Sequence, residues 1–389
     1  MARKALAVIA KPTHACNIAC KYCYIDPKAE AGSMSQQILS QSIEKVSDYA
    51  DSSHWIWHGG EPLLMGLDFY KTIKDIQDFY RQRGKRFTNG IQTNATLLTD
   101  EFLDFFEETQ DFHIGTSIDG PRELHNASRI YQSGKGSYDE VMRGINLMKK
   151  RNRHKLNGHN RNGVGGGAIC VISKVNVDYP QELYDFFKSQ SINVKFNPII
   201  ESGRAKGAVR EIGITPKQYS DFLITLWRIY DDDVRKEGKV TIDIDPFMDI
   251  IGNIGTGKPV GCNYSISCRN SFISIGPQGD IYPCGRFDGE QDFWMGNVQT
   301  HTIEEALNSP VHKKLIGRSL ETVAGCKNCE YNQICNSGCM HNAYFAGDVM
   351  GKDFYCSSYK KIFAELAPLV KLELENAERR FKEKSQKNG

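Results

Sequence analysis

The sequence predicts an α/β chain, a parallel sheet or barrel followed by a cysteine-rich C-terminal region. Three observations carry this. Short apolar runs alternate with amphipathic segments from the N-terminus to about residue 245, which is the pattern of repeated βα units. Polar and glycine-containing motifs fall where the apolar runs end, and parallel α/β folds carry their functional groups there. Eleven of the 12 cysteines are confined to residues 16–23 and 262–356, with only Cys170 between.

In chain order, the apolar run Ala5 to Ala10 reads as the first strand and feeds KPTHACNIACKYCYI, residues 11–25. Ser35 is placed to cap a helix towards Tyr49, with Ile38, Ile43 and Val46 on its apolar side. Further strands are expected at 54–57, 87–92, 112–117, 168–172, 194–198 and 240–244, and helices at 67–83, 99–107, 138–149, 180–189 and 215–236. Residues 149–163, KKRNRHKLNGHNRNG, read as a solvated loop, with a contact for an acidic peptide as the alternative. Ser202-Gly203-Arg204 is read as a plain loop or a substrate-facing strand exit. The tail begins with the amphipathic FAELAPLVKLELE and becomes highly charged, which predicts a packed helix with a frayed end.

A chain of 389 residues suggests two or three domains. Lys+Arg 49 against Asp+Glu 47 leaves a net charge of +2, which disfavours nucleic acid as a partner. The apolar run after Arg3 and Lys4 is too short for a signal peptide, and no later stretch is long enough to span a bilayer. A soluble, cytoplasmic protein is expected. Clustered cysteines in such a compartment argue for metal rather than disulfides. Cys170, within AICVI, reads as a small buried hydrophobe.

Cys16, Cys20 and Cys23 have the spacing C-x3-C-x2-C. Three thiolates on one loop hold three irons of a cubane cluster and leave the fourth open, and an open metal position is where a substrate binds. A zinc site completed by His14 is the alternative. In WHGGEPLL, Gly59 and Gly60 let the backbone approach a ligand closely, Glu61 supplies a carboxylate and Pro62 stops the strand; a simple exit turn is the plainer reading. Gln92, Thr93 and Asn94 stand at the next exit, and Ser117 and Asp119 at the one after, positions that also suit helix caps and Asx turns. The later cysteines run C-x5-C-x15-C and then C-x2-C-x5-C-x3-C-x16-C, enough for two full clusters or two zinc sites.

With Tyr22 before its last cysteine, the first loop resembles the cluster loop of the radical S-adenosylmethionine (radical SAM) superfamily. The Gly-Gly-Glu-Pro string resembles that family's motif for the cofactor's amino group. The polar strand exits, and ELHNASRIYQSGKGSYDEVMRGINLMKK with His125 and Arg129 at H-x3-R, resemble the branch that includes the anaerobic sulfatase-maturating enzymes. The eight later cysteines resemble the SPASM auxiliary-cluster domain. The resemblance implies a partial (β/α)6 TIM-like barrel over residues 1–245, a SPASM domain over 246–360, and a C-terminal helix with a charged tail over 361–389. It implies three 4Fe-4S clusters and S-adenosylmethionine as cofactors. Cys16, Cys20 and Cys23 would hold the cofactor-binding cluster; Cys262, Cys268, Cys284 and Cys339 the first auxiliary cluster; Cys326, Cys329, Cys335 and Cys356 the second. Tyr22, Gly59, Gly60, Glu61, Asn94, Ser117 and Arg129 would contact the cofactor. The implied partners are a peptide or protein substrate and an electron donor such as flavodoxin or ferredoxin, with no nucleic acid or membrane. Only fifteen residues precede Cys16, so any leader recognition is expected at the barrel mouth, the basic loop, the auxiliary domain or a separate protein.

Relatives of this type either oxidise Cys or Ser of a sulfatase to formylglycine or crosslink ribosomally made peptides through C–C or C–S bonds. The sulfatase-maturating pattern has an acid after the third SPASM cysteine, serving as a base; here that position is Gly285, in Cys284-Gly285-Arg286-Phe287-Asp288. Glycine takes no proton, so a peptide-crosslinking oxidoreductase is the first expectation and formylglycine formation the second. Asp288 reads as an exposed turn residue, with replacement of the missing acid as the alternative, and no catalytic base is assigned. A radical enzyme acting on small carbohydrates or alcohols is a further alternative. Outside the enzymes, the alternative is a zinc-binding module that recruits peptides.

Overall fold

The computed structural model describes residues 4–26, 32–155, 167–265 and 267–387. Its strands are β1 (Ala5–Thr13), β2 (Ser52–Gly59), β3 (Arg86–Thr93), β4 (Phe112–Ser117), β5 (Ala168–Ile172), β6 (Val194–Pro198), β7 (Ile244–Asp245), β8 (Phe272–Ile275), β9 (Asp280–Tyr282) and β10 (Gly296–Asn297). The chain forms two compact units, one of Met1–Val171, Ile199–Gly213 and Ser267–Gly317, the other of Ile172–Pro198, Ile214–Ile266 and Arg318–Gly389.

In the first unit β1 is central, parallel to β2 on one side (Ala10 opposite Trp57) and to β8 on the other (Ala7 opposite Phe272). The parallel ladder continues through β3, β4 and β5, while β8, β9 and β10 form an antiparallel meander. Leu6, Val8 and Ala10 alternate into the core. Trp55 and Trp57 stack at 5.3 Å, and the Trp57 indole donates to Asn89, which is bonded reciprocally to Gln77. Tyr70 presents its ring to the edges or faces of Phe102, Phe106 and Phe112, closing the core beneath the helices Leu67–Arg81 and Asp100–Thr109. Ser35 caps helix Gln36–Tyr49 as expected, its Oγ accepting from Ile38 N at 3.2 Å.

β1 extends three residues past the apolar run, through Lys11, Pro12 and Thr13, with a register shift between Ala10 and Thr13. A lysine is tolerated there because its charge is neutralised inside the unit, as described below. Helix Tyr138–Lys155 runs past the expected end at 149, fastened by Arg151 to Asp100 and Asp104 at 2.6 and 2.5 Å. The rest of the expected basic loop, residues 156–163, lies outside the described residues.

In the second unit β6 and β7 pair in parallel. The strand expected at 240–244 is a correction: only Ile244–Asp245 pairs. Val240 is exposed, and Asp243 instead accepts from Val194 N and donates its own N–H to the Asn193 side chain. Helix Pro216–Glu237 starts with a capping box of Thr215 and Gln218, ends on a left-handed Gly238, and packs on Cys356–Lys387. That last helix continues through the charged tail where fraying was expected, in keeping with its strong helix formers. Among the described residues, no helix is long and apolar enough to cross a membrane.

Candidate active site

The C-terminal end of β1 delivers the loop of Cys16 (exposed), Cys20 (buried) and Cys23 (half-buried). Three segments grip its backbone. From the β2 exit, Gly60 N donates to Thr13 O at 2.9 Å and Glu61 N to Ala15 O at 2.8 Å. A Cβ on Gly60 would lie 1.9 Å from Ala15 O, and Gly59 has φ +121° with its Cβ position 2.5 Å from Thr13 O. The glycine pair is therefore required by close approach to the cysteine loop itself, where the sequence suggested approach to a ligand. From the β4 side, Ala19 N and Lys21 N donate to Ile130 O and Ser128 O at 2.6 and 3.0 Å. The Ser202–Arg204 segment is no free loop either: Gly203 has φ +54° and a Cβ there would meet Tyr24 O at 2.2 Å, while Arg204 N donates to Ile25 O.

The side chains singled out from the sequence meet around this loop. Asn94 places Nδ2 3.8 Å from Cys16 Sγ and donates to Asn17 Oδ1 at 2.9 Å. Glu61 is fully buried; its carboxylate accepts from Leu63 N, Thr93 Oγ1 and Asn94 N at 3.0, 2.7 and 2.8 Å. Burial pushes Glu61 up to about 7 despite those three donors. Its carboxylate holds the β3 exit together in this structure, rather than standing open to an ammonium.

Arg129 is buried. Its Nε lies 3.0 Å from Asp119 Oδ2, its Nη1 4.0 Å from Cys20 Sγ, and its guanidinium 5.3 Å from the Tyr22 ring centroid. Tyr22 donates its hydroxyl to the same Asp119 carboxylate, whose other oxygen accepts from Val171 N at 3.0 Å. Behind it, His125 joins Asp119 N to the Ser137 hydroxyl, and burial lowers the imidazole to about 4. Ser117, half-buried at the end of β4, accepts from Gln92 Nε2 at 3.1 Å.

A buried cluster that sequence reasoning missed adjoins the loop. Asp288 is a correction: its side chain is 4% exposed, and Oδ2 lies 2.9 Å from both Lys11 Nζ and His14 Nε2. Burial raises its pKa, but the Lys11 ammonium and the hydrogen bonds outweigh this and hold it down at about 2. His14, the proposed zinc ligand, is thus bonded to a carboxylate. Lys11 also sits 4.9 Å over the Tyr24 ring, and the Tyr24 hydroxyl lies 3.2 Å from His58 Nδ1. Burial, with Lys11 nearby, lowers His58 to about 4. A Cβ on Gly285 would fall 2.8 Å from Ile9 Cγ2, so β1 packing leaves no room for a side chain at the position where an acid was sought. Lys11 alone in an apolar run was the available signal for a buried partner.

All 12 cysteines are free thiols, Cys170 being fully buried as expected. In the second unit Cys326, Cys329, Cys335 and Cys356 line one pocket. Asp353 beside them accepts from Cys339 N and Tyr355 N at 2.8 and 2.7 Å, and burial raises it to about 6. Cys268 and Cys284 belong to the first unit, Cys262 and Cys339 to the second.

A strand-exit loop with three free thiols, two of them facing N–H donors, beside a parallel sheet defines a candidate iron–sulfur enzyme. The radical SAM superfamily model matches residues 10–187, and the model for an iron-sulfur cluster-binding domain, SPASM, matches residues 267–330. The chain is 32% identical over 395 residues to the serine-type anaerobic sulfatase-maturating enzyme of Bacteroides thetaiotaomicron, covering 94% of this chain and 91% of that one. It is 26% identical to the cysteine-type enzyme of Clostridium perfringens, covering 93% and 96%. The solved structure of native anSMEcpe with bound AdoMet superposes with a TM-score of 0.82 at 25% identity, covering 95% of this chain and 99% of that one. The chain belongs to the radical SAM family with a SPASM domain that contains the anaerobic sulfatase-maturating enzymes. These relatives reverse the ranking drawn from Gly285: sulfatase maturation is better supported than peptide crosslinking.

Proposed function

We propose that this chain oxidises a serine or cysteine side chain of a sulfatase-type protein to formylglycine. The observation that carries this reading is its likeness, over nearly the whole length, to maturases of both the serine and the cysteine type. Cys16, Cys20 and Cys23 would hold the cluster that serves S-adenosylmethionine. The donor set fits such a group: Asn94 and Arg129 aim N–H groups at two of the three sulfurs, the kind of hydrogen bond that tunes cluster thiolates. When bound, cluster and cofactor supply one-electron cleavage of the sulfonium and a 5′-deoxyadenosyl radical that abstracts hydrogen.

Around that chemistry the protein's task is positioning. Tyr22, Gly59, Gly60, Glu61, Asn94, Ser117 and Arg129 are assigned to the cofactor pocket, supported by their gathering at the cysteine loop. Within it Glu61 and Arg129 act on the loop's shape, Glu61 through Asn94 and Arg129 through the Tyr22–Asp119 pair. Cys262, Cys268, Cys284 and Cys339 are assigned to one auxiliary cluster and Cys326, Cys329, Cys335 and Cys356 to the other, with flavodoxin or ferredoxin as the outside electron source. For a serine substrate, the β-carbon would lose a hydrogen atom to the deoxyadenosyl group, then one electron, for which an oxidised auxiliary cluster would be the acceptor, and the hydroxyl proton to solvent, which yields the aldehyde. For cysteine, the thioaldehyde takes up water and releases hydrogen sulfide.

Gly285 favours a second reading, an intrapeptide crosslink in a ribosomally made peptide. The test is anaerobic incubation of the reconstituted protein with reductant, S-adenosylmethionine and a peptide spanning the active-site serine or cysteine of a sulfatase. The expected product reacts with a hydrazide probe, as an aldehyde must. A product that has lost two hydrogens but ignores the probe supports crosslinking, and unaltered peptide counts against sulfatase maturation.

A further inference from the structure

Arg318, in the second unit, is 1% exposed. Its donors are all spent on neutral acceptors: Nε on Val349 O at 2.9 Å, Nη1 on Ser337 Oγ and Gly338 O at 2.8 and 3.1 Å, Nη2 on Ser337 O and Gly351 O at 2.8 Å each. Among the described residues, no carboxylate lies within 4.0 Å of its nitrogens, Asp353 acting on it from further away. A buried cation is strongly unfavourable without negative charge nearby, and Asp353, which opposes the burial of this one from beyond ion-pair distance, already accepts from Cys339 N, Tyr355 N and Asn342 Nδ2. Ser337 and Gly338, which the guanidinium grips, line the same pocket as Cys326, Cys329, Cys335 and Cys356. Burial lowers the Arg318 pKa, and it is opposed by the negative charge that Cys339, Asp353, Cys326 and Cys335 carry when ionised. Lys352 and Lys360 line the pocket as well, against Asp353 as its acidic residue. Lys360 stands one turn after Cys356 on their helix.

We propose that Arg318 is the counter-charge of the auxiliary cluster held by Cys326, Cys329, Cys335 and Cys356, and that with Lys352 and Lys360 it raises that cluster's reduction potential. The inference rests on assigning those four cysteines to an iron–sulfur cluster. Such a cluster carries net negative charge that grows by one on reduction, so fixed positive charge behind the pocket wall favours the reduced form. Arg318 is a positioning residue here: it touches the pocket's backbone and acts on the cluster through the field.

The test is a potentiometric titration of the anaerobically reconstituted full chain, followed by electron paramagnetic resonance, the relevant signal being the one lost in Cys356→Ala. In Arg318→Met the reduced-to-oxidised ratio at the wild-type midpoint falls about tenfold, a shift of about 59 mV for a one-electron couple. Arg318→Lys recovers part of it, and the signal lost in Cys20→Ala keeps its midpoint in both variants. Lys352→Gln with Lys360→Gln, changes at exposed positions, shifts the same midpoint downwards even where Arg318→Met fails to assemble. An unmoved midpoint in the lysine pair and in any folded Arg318 variant overturns the proposal. A wild-type protein with no signal dependent on Cys356 overturns the cluster assignment beneath it.

Discussion

Cys20→Ala is expected to lose about four of about twelve irons per chain and all release of 5′-deoxyadenosine. The argument is one of ligand count and enclosure. The proposal gives the cofactor-binding cluster three thiolates, so removing one would leave two protein ligands on a group that already has an open corner. Cys20 is the buried member, flanked by Ala19 and Lys21, whose amides are bonded to Ile130 and Ser128, and faced by Arg129 Nη1 at 4.0 Å. Its neighbours cannot move in to replace it. Burial also pushes its thiol up to about 12, so this sulfur is a poor free anion and a good one only when a cation holds it. The auxiliary cysteines lie elsewhere in the sequence and should keep their iron. Total iron and deoxyadenosine, assayed on one anaerobic preparation, check both parts.

Asp288→Asn is expected to destabilise the protein by about 3–5 kcal/mol, the usual result of removing one partner from a buried ion pair. Lys11 and Asp288 side chains are 2% and 4% exposed, so the variant leaves an ammonium enclosed beside an amide. Lys11→Met should cost a similar amount by stranding the carboxylate, and the double variant less than the sum of the singles. The pH dependence has a fixed sign. Asp288 has a folded pKa of about 2 against an ordinary 3.8, so its contribution is complete above about 3.8 and is lost as pH falls through about 2. Denaturant midpoints of the wild type and the three variants, measured from neutral to acid pH, check magnitude and window together.

Much of the strand pattern was legible because the strands obey simple rules. β4, β5 and β6 sit where alternation or a short apolar run placed them, since each is bounded by turn residues and buried on alternate positions. β1 was cut short at Lys11, because a sequence does not display a partner 277 positions away; a similar separation, 265 positions, hid the pairing of β1 with β8. β7 was overextended because Val240 looks like a strand residue but finds no sheet to cover it. At the site, cysteine spacing picked out the candidate ligands without any tertiary information. Tyr22, Asp119 and Arg129 were each noticed, yet their mutual lock was not, since it brings together three separate segments. Asp288, followed by Gly289, has the local look of a turn, and only the fold shows that it answers Lys11. The Gly59–Gly60 pair was read towards a ligand, and what the sequence did not display is that it also accommodates the chain's own cysteine loop.

What ties these parts together is the proposal that the Cys16–Cys20–Cys23 loop holds an iron with a coordination position that no side chain fills. Electron paramagnetic resonance of the reduced anaerobic protein, recorded before and after adding S-adenosylmethionine, addresses that iron directly. The signal that disappears in Cys20→Ala should change shape when the cofactor is added to the wild type. A wild-type signal that the cofactor leaves untouched, or one that persists in Cys20→Ala, would mean that the corner is closed or that the cluster lies elsewhere.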